Sequence, residues 1–99
     1  MKKVFICSPY RTGNTLENVA KAKEHCREAI QMGYIPFAPH LYFPQMTSDD
    51  DLAIKMGCEI MRNFDFVWVY GKPTEGMQKE IDYALRHGIR VYYKNKGEV

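Results

Sequence analysis

The stretch PTEGMQKEIDYA, residues 73–84, sets Thr74, Gly76 and Glu80 at the entry to an amphipathic helix. A carboxylate in that place is either a solvated surface charge or a nucleophile or acid–base group turned into a cleft. Helical spacing puts Glu80 three residues from Met77 and four from Ala84, on the margin of the apolar face. Gln78, Lys79 and Asp82 point outward on the same count. Proximity to the helix N-terminus favours the ionised form of Glu80, which nucleophilic attack requires.

Two further stretches carry reactive side chains. CSPYRTGN, residues 7–14, follows an apolar run and leads into a helix. Free N–H groups at that helix start favour an anion, and Arg11 offers a bidentate partner for phosphate. An ordinary loop with an exposed arginine has the same composition, and neither GxxxxGK[ST] nor GxGxxG is present. His40 follows Pro39. It is an acid, a base or a hydrogen-bond donor, or else a loop histidine packed on Tyr42 or Phe43. His25 and His87 fall on helices and read as structural or solvated. No second histidine or cysteine stands near His40 at ligand spacing, so no metal site and no cofactor are expected. GxSxG and a Ser-His-Asp order are also missing.

The elements that must position these groups follow from periodicity. Residues 3–8 read as a buried strand. Asn14, with Glu17 three residues on, forms a capping-box start for a helix over 15–32. Its buried face would hold Leu16, Val19, Cys26 and Ile30. Residues 34–39 form a strand restricted by two prolines to an edge, an end or a bulge, and 40–47 an aromatic loop. Ser48 with Asp51 opens a helix over 49–63, interrupted in pattern by Gly57. Residues 64–71 are the clearest strand. A helix over 75–87 presents Met77, Ile81, Ala84 and Leu85 to the core. A strand over 89–93 and a polar tail finish the chain.

This β-α-β-α-β-α-β order predicts an α/β fold: one Rossmann/flavodoxin-like three-layer domain over 1–99, with a four- to five-stranded parallel sheet and helices on both faces. In such sheets ligands sit outside the carboxyl ends of the strands. The segments 8–14, 39–44 and 70–76 meet there; the first two contain Arg11 and His40, and the third leads into the helix of Glu80. Asp65 opens the third strand at its other end, where turn chemistry is the expected role.

Composition narrows the function. A chain of 99 residues suits one domain, and 45% apolar with 26% charged residues is normal for a globular protein. The net charge is +2 and the basic residues are scattered, which argues against polymeric DNA or RNA but not against a single nucleotide. Cys7, Cys26 and Cys58 are odd in number and lack a CxxC, so they read as buried thiols in a reducing compartment. The apolar run at the start is too short for a signal peptide, and no stretch approaches membrane-spanning length, so a cytoplasmic protein is expected. Seven Tyr, five Phe and one Trp exceed what a small core needs. That surplus points to a homodimer or higher homo-oligomer.

Taken in order, FICSPYR, PFAPHLYFP, FDFVWVYG and TEGMQKEIDYALRHGIRVYY resemble the nucleoside 2-deoxyribosyltransferase superfamily over nearly the whole chain. They are most similar to its small bacterial and phage domains, related to deoxynucleoside 5′-monophosphate N-glycosidases. The most specific element is a Ser/Thr/Asp-x-Gly-x-x-x-Glu pattern, matched by Thr74, Gly76 and Glu80. The resemblance implies that Glu80 attacks C1′ of the sugar and expels the base, after which water or a second base resolves a covalent intermediate. It implies that Ser8, Tyr10 and Arg11 face the sugar or phosphate and that His40, Thr74, Gly76 and Met77 line the substrate site. Tyr10, Tyr42 or Phe43 would stack on the base. Asp65 matches a recurrent family aspartate, and Asp65 and Asn14 are carried as supporting residues. A second subunit often completes the site in this family. The other readings are a non-catalytic nucleotide-binding or sensing module and an NAD glycohydrolase.

Overall fold

The computed structural model describes residues 1–94, so nearly all of the polar tail expected after the last strand lies outside the described residues. Strands β1 (Lys3–Cys7), β2 (Ile35–Phe37), β3 (Phe66–Val69) and β4 (Arg90–Tyr93) alternate with helices α1 (Thr15–Gln31), α2 (Asp50–Met61) and α3 (Glu75–Arg86). All pairings are parallel, and the sheet order is β2-β1-β3-β4. The fold is therefore the expected Rossmann/flavodoxin-like α/β architecture, with four strands.

Side chains alternate across the sheet because successive residues of a strand face opposite sides. Phe5, Cys7, Val67 and Val69 face Met61 of α2 and Met77, Ile81 and Ala84 of α3. Val4, Ile6, Trp68 and Tyr70 face the other way, toward Ala29 of α1 and Ala38. Burial on both faces explains why β1 and β3 read as continuous apolar runs. The chain leaves β1 through α1 on one face and returns to β3 through α2 on the other. The loops after β1 and β3 consequently diverge, which opens a crevice at the carboxyl ends of these neighbouring strands.

Several local expectations change. Leu16, Ile30 and Leu85, assigned to buried helix faces, are exposed at 81%, 61% and 62%. A helix lying on a small sheet covers a narrow stripe, and these three fall just outside it. The cap of α2 is Asp49, whose side chain accepts from Leu52 N–H, rather than Ser48. Gly57 does not interrupt that helix. An added Cβ there would stand 3.2 Å from Pro39 Cβ, so the glycine allows α2 to lie close against the turn that carries His40. Cys7, Cys26 and Cys58 are free thiols. Among the described residues no helix is long and apolar enough to cross a membrane.

Candidate active site

A pocket of about 380 Å³ opens at the carboxyl ends of β1 and β3, between the loop after β1, the turn after β2 and the N-termini of α2 and α3. It is lined by Ser8, Tyr10, Arg11, His40, Thr74, Gly76, Met77 and Glu80, among others. Crossovers on opposite faces thus gather these residues from three separate segments.

The local chemistry of α3 places Glu80. The Thr74 hydroxyl accepts from Met77 N–H at 3.2 Å and caps the helix. Gly76 lets the first turn approach α2, since an added Cβ would lie 3.1 Å from Ile54 Cδ1. Glu80 then reaches the pocket floor, where the residue is only 8% exposed. The helix-margin position on the sequence is in fact a buried one.

Burial decides its protonation. The Glu80 carboxyl is pushed up from 4.5 to about 7 by desolvation, opposed by a hydrogen bond from the Cys7 thiol. This corrects the expectation that the helix dipole keeps it ionised. Glu80 is the sixth residue of α3, and the dipole's influence falls off within the first turn. Among the described residues no cation is ion-paired with it. A buried, unpaired carboxylate open to a pocket is the electrostatic pattern of a reactive group.

The thiol of Cys7, the last residue of β1, donates to the Met77 carbonyl at 3.8 Å and is also within hydrogen-bonding reach of the Glu80 carboxylate. Its own pKa is raised, first by burial and then by Glu80. The sequence reading did not connect Cys7 to the site. The signal available was strand alternation, which puts Cys7 on the face of Phe5, the face that α3 covers.

In the same pocket, Ser8 Oγ and His40 Nε2 are hydrogen-bonded at 2.9 Å. Ser8 is buried, and the tilted Tyr10 ring stands 6.1 Å from the His40 ring. Burial, helped by the charge of His25, lowers the His40 pKa from 6.5 to about 4. The imidazole is neutral at pH 7, with one nitrogen able to accept a proton.

At the mouth, Arg11 pairs with Asp50 at 2.7 Å and Lys79 with Asp51 at 3.4 Å. The Arg11 guanidinium also lies 5.0 Å from the Tyr10 ring centroid. Lys79, expected to point outward, is half-exposed yet lines the pocket, as do Asp50 and Asp51. The sequence around 50–51 marks a helix start but not a pocket, because the fold alone brings α2 to the crevice.

Two of the expected supporting residues are elsewhere. Asn14 caps α1 by accepting from Glu17 N–H at 3.0 Å and is not among the pocket residues. Asp65 precedes β3 at the opposite end of the sheet, where its carboxylate accepts from Lys3 N–H at 2.7 Å and its own N–H donates to the Lys3 carbonyl. That ties β1 to β3 at their amino ends, away from the crevice as expected, but the carboxylate bonds a neighbouring strand 62 residues away and not the local turn. Of the two stacking candidates in the loop after β2, Phe43 is buried against Phe37, and Tyr42 is exposed outside the pocket lining. Among the described residues no three His, Cys, Asp or Glu side chains gather as a metal cluster.

Residues 2–94 match the family described as Domain of unknown function (DUF7768). The chain belongs to that family. No curated protein matches this DUF7768 chain in sequence. Among solved structures, it is similar to a 2-deoxyribosyltransferase from the psychrotolerant bacterium Bacillus psychrosaccharolyticus, with a TM-score of 0.65 and 16% identity. The superposition covers 95% of this chain and 74% of the transferase. At that identity the likeness is one of fold.

Proposed function

We propose that this DUF7768 domain is an N-glycosidase-type enzyme that acts on a deoxynucleoside or its 5′-monophosphate, with Glu80 as the nucleophile. The observation that carries the reading is the buried, unpaired Glu80 carboxylate on the floor of a pocket that opens at the switch point of the sheet. Desolvation makes such a carboxylate costly to keep and reactive when ionised. Its Thr74–Gly76–Glu80 spacing matches the superfamily pattern, and the fold of a 2-deoxyribosyltransferase supports the same assignment.

In the first half-reaction a Glu80 oxygen attacks C1′. The C1′–N bond breaks through an oxocarbenium-like transition state, and its electron pair leaves with the base, which takes a proton from solvent at the pocket mouth. A glycosyl ester on Glu80 remains. Water resolves it to the free sugar, and an acceptor base resolves it to a new nucleoside. Ser8 and Thr74 offer hydroxyls to the sugar or its phosphate, and Tyr10 offers a ring to the base. Arg11 at the lip supports a phosphorylated substrate.

The test is chromatography of nucleosides and 5′-monophosphates incubated with the protein, with and without free acceptor base, beside Glu80→Gln. Base release by the unmodified protein alone is expected. Binding with no release from any substrate would replace this reading with a non-catalytic nucleotide-binding module, and loss of NAD with none of the others would indicate an NAD glycohydrolase.

A further inference from the structure

The geometry points to His40, acting with Ser8, as the base that activates water in the second half-reaction; this rests on the glycosidase reading of Glu80. Three observations converge. Ser8 and His40 line the same 380 Å³ pocket as Glu80. Ser8 Oγ and His40 Nε2 are 2.9 Å apart, the distance of a made hydrogen bond. The charged side chains of the pocket mouth are committed or outside: Arg11 is paired with Asp50, Lys79 is paired with Asp51, and Glu75 is exposed on the first turn of α3, while the Tyr10 ring lies against Arg11 and His40. His40 is left as the neutral acceptor, a state its burial enforces.

A water seated on Ser8 Oγ attacks C1′ of the glycosyl ester. The C1′–Oε bond breaks and its electron pair returns to the Glu80 carboxylate. One water proton passes to Ser8 Oγ while the Ser8 proton passes to His40 Nε2. The sugar keeps the hydroxyl. The imidazolium, desolvated and therefore acidic, hands its proton to solvent, which restores the one the base took in the first half-reaction.

The experiment separates the two half-reactions in the full chain. Base release is followed within the first turnover and at steady state for the unmodified protein, His40→Gln and His40→Ala, with intact-mass detection of sugar on Glu80. Glutamine can keep a hydrogen bond to Ser8 but takes no proton. Both variants should still release a first equivalent of base, accumulate the adduct, and then turn over about a hundredfold more slowly. Azide, a nucleophile that needs no deprotonation, should restore turnover in both and yield a sugar azide. Full steady-state activity in His40→Gln would overturn the base role and leave a structural one. First and second phases falling together without azide rescue would overturn it as well. An unmodified protein that releases no base and carries no adduct would overturn the glycosidase reading itself, and this step with it.

Discussion

Arg11 Nε donates to Asp50 Oδ2 over 2.7 Å, joining residues 39 apart in the chain across the mouth of the pocket. Both side chains are about half-exposed, so the pair is open to exchange with a ligand. Asp50→Asn should free Arg11 and tighten binding of a 5′-monophosphate relative to its nucleoside. Arg11→Ala should weaken the monophosphate alone. Calorimetric titration of the two ligands checks this, and equal changes for both would remove phosphate recognition from Arg11. High salt should diminish the preference, since charges at the surface are screened.

Glu80 exacts a stability cost that depends on pH. Its pKa is about 7 folded against 4.5 as a reference. The folded state therefore holds the proton more tightly, and the stability this contributes is full below the reference value and is lost as pH rises through about 7. Glutamine is neutral throughout. Each tenfold gain in proton affinity is worth roughly 1.36 kcal/mol. Glu80→Gln should therefore raise stability by on the order of 3 kcal/mol at about pH 8, and by little at about pH 4.5. Denaturant unfolding at the two pH values measures it. An inactive variant that is also less stable at alkaline pH would contradict the buried-charge account.

The rate should follow the same titration with the opposite consequence. Attack needs the carboxylate, so kcat/KM for base release should rise with pH, half-maximal near the Glu80 value of about 7. A rate falling through that range would mark Glu80 as an acid rather than a nucleophile. Cys7→Ala removes the thiol hydrogen bond that lowers the Glu80 pKa, so it should move the rising limb to higher pH.

Two substitutions separate scaffold from site. Asp65→Ala removes the acceptor for Lys3 N–H and should cost about 1 kcal/mol without changing base release. Thr74→Ala removes the α3 cap, should also cost about 1 kcal/mol, and should slow base release because α3 carries Glu80. Thermal unfolding beside the chromatographic assay distinguishes them. Impaired catalysis in Asp65→Ala with unaltered stability would return that residue to the site.

By itself the chain's chemistry settled the layers and the location of the pocket. Apolar runs of strand length alternate with helical stripes, and a parallel sheet places loops 8–14, 39–44 and 70–76 at one end. Local spacing placed Glu80 on the margin of the buried face, and the resemblance in the Thr74–Gly76–Glu80 pattern singled it out; that Thr74 caps the helix came from the structure. The tertiary structure decided what depends on distant neighbours. It moved Leu16, Ile30 and Leu85 off the buried stripe, since contact width follows the shape of the sheet beneath. It brought Asp50 and Asp51 to the pocket from a segment with no mark of a site, turned Lys79 toward it, and set Cys7 against Glu80. It also reversed the expected bias on Glu80: the dipole is read along one helix, whereas desolvation depends on everything packed around it, and here desolvation is the larger effect.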